Sequence, residues 1–185
     1  MIGPRSVRWQ DWEGCATGLE HCTLQPEDGR LVASGIVAGM RDGAPFGLFY
    51  RLAIDESWRL REALAATTDG ARRVLTANGE GAWTLDGEPA PALAGAIDID
   101  IQATPFTNTL PIRRLALAEG ASAAIRVAYL TVPELTLLPA EQRYTCLQDG
   151  RLHRFEALET GFAAELPVDP DGLVTDYPGL FRRLA

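Results

Sequence analysis

Tyr50-Arg51-Leu52-Ala53-Ile54-Asp55 alternates as a strand does: Tyr50, Leu52 and Ile54 share one face, and Arg51 and Asp55 share the other. Successive side chains of an extended chain point to opposite faces, so a period of two gives one apolar side and one mixed side. The pattern continues outward. Trp58, Leu60 and Glu62 alternate with Arg59 and Arg61, and Ile125, Val127 and Tyr129 alternate with Arg126 and Ala128. Between such segments stand six Asp-Gly dipeptides, at Asp28-Gly29, Asp42-Gly43, Asp69-Gly70, Asp86-Gly87, Asp149-Gly150 and Asp171-Gly172. Asp-Gly is a favoured loop of tight hairpins, because glycine readily takes the positive φ they need.

Helix signals are few. Leu60, Ala63, Leu64 and Thr67 recur at helical spacing, but their place between an alternating segment and an Asp-Gly turn favours a strand. Thr104 to Leu110 is Pro-bounded and leaves room for one helical turn. Tyr177 to Leu184 reads as a short helix with Pro178 in its first turn, where proline is tolerated. The expectation is an all-β, mainly antiparallel fold of about ten to twelve strands with one or two short helices. A sheet that wide curls, so a β-roll or incomplete barrel is expected. No repeat, linker or composition break divides the chain, and residues 1–185 read as a single domain.

Composition excludes several classes. The hydrophobic share of 46% and the charged share of 23% rule out disorder, collagen and coiled coil for the whole chain. The net charge is −8, and all 17 basic residues are arginine. Without lysine there is neither a Schiff-base lysine nor a lysine-bearing phosphate loop. The arginines gather only in pairs, such as Arg72-Arg73, Arg113-Arg114 and Arg182-Arg183, so nucleic acid is not an expected partner. No apolar stretch is long enough to span a membrane. Met1 to Trp12 is polar and does not read as a signal peptide. With three cysteines, an odd count, reduced thiols in a cytoplasmic setting are expected rather than a disulfide framework.

The most distinctive stretch begins at Ala96-Ile97-Asp98-Ile99-Asp100-Ile101. Ile97, Ile99 and Ile101 would face a core, placing Asp98 and Asp100 together on the opposite face with Cα atoms about 6.5 Å apart. Like charges that close need a cation or donor between them. Arg113 or Arg114, beyond the Pro-bounded loop, can supply it. The cluster reads as a buried network that fixes the loop, as a polar patch for a ligand, or as a catalytic or metal site. A glycosidase needs its acid and base on two sides of the scissile bond, which neighbours on one strand face do not provide. His21, Cys22, Cys15, Cys146 and His153 lack zinc-site spacing. No serine sits in Gly-x-Ser-x-Gly. No catalytic residue, metal or cofactor is assigned.

The run Thr104-Pro105-Phe106-Thr107-Asn108-Thr109-Leu110-Pro111-Ile112-Arg113-Arg114-Leu115, following Asp98-Ile99-Asp100, resembles the hallmark of a bacterial glycolipid-binding family. Tyr50 before Trp58-Arg59, Gly81-Ala82-Trp83, Gln142-Arg143-Tyr144 and Asp176-Tyr177-Pro178-Gly179 fit it too, so the resemblance covers nearly the whole chain. It implies a long-stranded β-roll or incomplete barrel, similar in shape to the periplasmic carriers that shuttle lipoproteins. It makes Asp98, Asp100, Thr104, Asn108, Arg113 and Arg114 the signature positions and brings no catalytic residue. The expected function is non-catalytic binding of a glycolipid or other amphipathic small molecule. Its acyl part would lie on apolar strand faces, with Tyr50 and Trp58 turned inward, and its head group would meet Arg, Asp and Asn side chains. The alternatives are a carbohydrate- or acyl-active enzyme using Asp98 and Asp100, and a protein-interaction scaffold. An apolar cavity favours the first reading, two facing carboxylates the second, and a flat apolar patch the third.

Overall fold

The computed structural model describes residues 3–185. Strands take up 57% of the chain and helix 7%, so the fold is β in class, curled into a half-barrel. The first eight strands are β1 (Arg5–Asp11), β2 (Gly18–Glu27), β3 (Arg30–Arg41), β4 (Ala44–Ile54), β5 (Leu60–Thr67), β6 (Arg72–Ala77), β7 (Trp83–Leu85) and β8 (Glu88–Pro89). A 3-10 turn at Pro91–Leu93 leads to β9 (Asp98–Ile101), and a second at Phe106–Asn108 runs straight into the helix α1 (Thr109–Leu115). The chain ends in β10 (Ser122–Leu130), β11 (Leu137–Gln148), β12 (Leu152–Ala157), β13 (Phe162–Pro167), β14 (Asp176–Tyr177) and β15 (Phe181–Leu184). Twelve of these strands have four or more residues. The other three, β7, β8 and β14, are too short to show a period.

Ten strands form one sheet in the order β14-β15-β1-β2-β3-β4-β5-β6-β7-β8, and five form a second in the order β13-β12-β11-β10-β9. All pairings are antiparallel except β9 with β10. Each Asp-Gly dipeptide turns the chain. Asp28-Gly29, Asp42-Gly43 and Asp86-Gly87 are two-residue loops with positive φ at both positions, the signature of the hairpin turn that matches strand twist. Asp69-Gly70 and Asp149-Gly150 lie in longer turns, and Asp171-Gly172 lies inside the small loop closed by the Val168–Val174 bridge.

Four local readings change. The Pro-bounded segment carries more than one turn: Phe106 to Leu115 is helical and forms the crossover that parallel β9 and β10 require. Tyr177 to Leu184 is not helical. Leu180 N–H donates to Tyr177 O, turning the chain at Pro178-Gly179, and β15 then adds to the free edge of β1. Proline permits both outcomes, and an unpaired strand edge decides between them. In β5, Leu60 is buried but Glu62 is exposed and Ala63 buried. A bulge opposite Ala53 and Ile54 shifts the phase by one residue and exchanges the faces. Trp58 precedes β5 in a turn, with φ of 62°.

The concave face of the large sheet supplies Leu24, Leu48, Tyr50, Leu52, Leu60 and Leu75 to the main core, where they meet Ile99, Ile101, Phe106, Leu110 and Leu130. The crossover thus fills the inside of the curl. Burial of each such side chain contributes roughly 1.5–3 kcal/mol. A second cluster, Ile112, Tyr144, Phe155, Leu166, Val174 and Tyr177, joins the two sheets beside α1. Phe155 is its centre, with ring centroids of Tyr144 at 5.5 Å and Tyr177 at 6.1 Å.

Candidate functional site

A β9 strand covered on both sides changes what its acids can do. Ile99 and Ile101 are buried as expected, but Asp98 on the other face is fully buried too. Asp98 receives a two-pronged contact from Arg114, with Nε 3.1 Å from Oδ1 and an Nη 2.5 Å from Oδ2. Burial pushes this carboxyl upward in pKa and the guanidinium pulls it back. Asp100 has no arginine. Thr107 Oγ1 donates to it at 3.1 Å and Gln142 Nε2 at 2.6 Å, while burial raises its pKa. The two acids therefore serve different networks. Arg113 pairs with neither: its guanidinium lies over the Trp58 ring, 5.1 Å from the centroid.

Asp100 lies beside a cleft of about 440 Å³ between β11–β13 of the small sheet and the β14–β15 end of the large one. Phe155, Phe162, Tyr177, Leu180, Phe181 and Leu138 make its apolar wall. Asp100, Thr104, Asn108 and Gln142 make a polar floor. The crossover explains that floor: 3-10 geometry at Phe106–Asn108 turns Asn108 toward the Tyr144 hydroxyl, to which its Nδ2 donates at 2.8 Å. Arg41, Gln102, Leu180 and Phe181 also line an adjoining cleft of about 560 Å³, which reaches Glu20.

Glu20 is 3% exposed and joins the two clefts through Thr104. Its Oε1 accepts from Tyr50 Oη at 2.5 Å and from Thr104 Oγ1 at 2.7 Å. Burial outweighs those two bonds and pushes its pKa from 4.5 up to about 7. Two buried acceptors here have no hydrogen-bond partner: Glu20 Oε2 and Gln142 Oε1.

Of the residues singled out from sequence, Asp100, Thr104 and Asn108 come together at the first cleft. Tyr50 supports it from beneath, through Glu20 and a 3.4 Å contact to Thr104. Asp98 and Arg114 form the neighbouring ion pair. Arg113 lines a separate cleft of about 330 Å³ beside His153, with Trp58 stacked against it. Sequence reading passed over Glu20, Arg41 and the phenylalanine wall, and took Gln142 only as part of a family motif, not as a site residue. The signal for Glu20 was present: it falls in phase with Cys22 and Leu24 on the apolar face of β2, while His21 points outward. An acid in an apolar phase marks a buried polar site. The three cysteines are unpaired, Cys22 and Cys146 being buried.

No helix among the described residues is long and apolar enough to cross a membrane. No curated protein matches the chain. A solved structure is similar over 91% of this chain and 92% of its own, with 44% identity and a TM-score of 0.80: the crystal structure of a DUF1089 family protein from Pseudomonas aeruginosa. The family described as "Putative glycolipid-binding" matches residues 6–183. With that match spanning the curled sheet, the buried crossover and both clefts, the chain belongs to this family.

Proposed function

We propose that the protein binds one amphipathic molecule, of the glycolipid class, as a single non-catalytic unit. The acyl part lies along Phe155, Phe162, Tyr177, Leu180 and Phe181, and the head group meets Asp100, Thr104, Asn108 and Gln142. The observation that carries this reading is the division of the 440 Å³ cleft into an aromatic wall and a buried polar floor. Its volume lies within the range of about 300–1,000 Å³ common for small-molecule sites. The family description supports the same ligand class. Asp98 and Arg114 hold the crossover in place, and Asp100 orients Gln142.

Titration with alkyl glycosides of increasing chain length tests the reading. Each added methylene that enters the wall should tighten binding about fourfold, the equivalent of about 0.8 kcal/mol. Affinity independent of chain length refutes a buried acyl chain. It would instead favour a partner protein on the outer sheet face, where Ile36 is 63% exposed and Phe49 38% exposed.

A further inference from the structure

Asp98 and Asp100 stand two residues apart on β9, and the chain treats them differently. Asp98 is closed off and holds the guanidinium of Arg114. Asp100 is half-buried and lines the 440 Å³ cleft. It is held by neutral donors alone, Thr107 Oγ1 at 3.1 Å and Gln142 Nε2 at 2.6 Å, and no arginine among the described residues reaches it. Register fixes which way its side chain points. Tyr129 is its partner across the β9–β10 ladder, and Leu138 is the partner of Tyr129 across β10–β11. The three therefore stand in a row on one sheet face, and all three line the cleft. Tyr177, from β14, lines it too. Burial first, and then the negative charge of Asp100, raise the pKa of the Tyr129 and Tyr177 hydroxyls, so the carboxylate lies near both rings.

We propose that the head group received here carries a positively charged nitrogen, an ammonium group, seated on the Asp100 carboxylate against the Tyr129 and Tyr177 rings. This rests on the amphiphile-binding reading above and specifies the charge of its ligand. A carboxylate withdrawn from water without a countercharge is costly, and two neutral donors offset only part of that. A cation brought by the ligand supplies the rest. Each Asp100 oxygen accepts one bond within the protein, which leaves lone pairs for N–H donors. The wall beside it suits a cation as well as an acyl chain, because aromatic faces attract ammonium groups. Phe155, Phe162, Tyr177 and Phe181 pack there with neighbouring ring centroids 6.1 to 6.3 Å apart. A metal ion would take several oxygen or nitrogen ligands, and among the described residues no group of three His, Cys, Asp or Glu side chains gathers to hold one. Glu141 and Glu159 also line the cleft, Glu141 being paired with Arg126 at 3.1 Å. Arg41, the single cation lining it among the described residues, acts on the Tyr129 hydroxyl and does not reach Asp100.

Isothermal titration of the full chain with three probes of equal tail tests the inference: octylammonium, octyl β-glucoside and octyl sulfate, each below its micelle threshold. Octylammonium should bind once per chain and at least about tenfold tighter than the glucoside, with the sulfate weakest. Asp100→Asn keeps the size, and Gln142 can turn its unpartnered Oε1 to the new amide. That variant should lower the ammonium-to-glucoside affinity ratio by about tenfold. Tyr129→Leu, which removes a ring face and leaves the carboxylate, should lower the same ratio by about threefold. Glucoside binding at least as tightly as octylammonium overturns the inference and leaves the amphiphile reading standing. If none of the three binds, both fall. Octylammonium binding at several sites per chain, or a folded Asp100→Asn that keeps the full preference, is attraction to a chain of net charge −8 and overturns the inference. Should Asp100→Asn not fold, Tyr129→Leu and the wild-type panel decide.

Discussion

Replacing Arg114 with methionine strands a fully buried carboxylate. Asp98 is 0% exposed, and Arg114, whose side chain is 17% exposed, supplies both of its hydrogen-bond donors. Breaking a buried pair from one side costs about 3–5 kcal/mol, because the remaining charge has neither partner nor water. For a chain of 185 residues, at about 2–4 °C per kcal/mol, the melting temperature near pH 7 should fall by about 6–20 °C. Burial already pushes the Asp98 carboxyl upward, and the loss of Arg114 removes what held it back. In the variant its folded pKa then stands above the unfolded value of about 3.9. The folded state binds that proton more tightly, so its stability is fully present below about pH 3.9 and is lost as pH rises through the folded pKa. The deficit of Arg114→Met should thus be smallest near pH 4 and widen toward pH 7. Asp98→Leu alone should cost less, since the longer Arg114 side chain can turn to solvent. The double replacement Asp98→Leu/Arg114→Met should lie above Arg114→Met in stability, with both charges gone. Thermal and urea melts across this pH range are the assay. A deficit under about 1 kcal/mol at pH 7, or one that does not change with pH, refutes the argument.

Glu20→Gln keeps the Oε1 acceptor for Tyr50 and Thr104 but removes a carboxyl that burial raises from 4.5 to about 7. That raised pKa contributes stability below about 4.5 that is lost as pH rises through 7, on the order of 3 kcal/mol. Melting temperature should decline over that interval in the wild type and stay flatter in the variant; parallel profiles would sink the prediction. Gly35→Ala places a Cβ 2.2 Å from the Tyr50 ring and forces Tyr50 away from Glu20. The expected loss is about 1–3 kcal/mol, and an unchanged urea midpoint contradicts the packing. Phe162 is 40% exposed at the cleft wall, so Phe162→Ala should leave the melting temperature nearly unchanged and weaken octyl glucoside binding by about 1–2 kcal/mol. Calorimetric affinity equal to wild type would remove Phe162 from the site.

Local chemistry made much of the fold legible from sequence alone. Each Asp-Gly pair turns the chain because an Asp-Gly step enters the positive-φ region at little cost wherever it occurs. Alternation marks a strand wherever one of its faces is apolar, as at Tyr50, Leu52 and Ile54. The run from Thr104 to Leu115 marked both the family and the segment that carries Asn108 and Arg114. Tertiary structure decided the rest, because the deciding contacts join residues far apart in the chain. Whether Tyr177 to Leu184 became helix or strand depended on the open edge of β1, more than 160 positions earlier. Whether Asp98 and Asp100 acted together depended on what covered β9: Arg114 reaches one acid and Gln142, from β11, the other. The candidate site itself exists only where the ends of the chain close on its middle. Phe181 from β15 and Phe155 from β12 then face the crossover, and Glu20 from β2 meets Thr104 across 84 positions. Period and propensity record what a residue prefers locally, and a cleft is made of surfaces whose distance along the chain bears no relation to their distance in space.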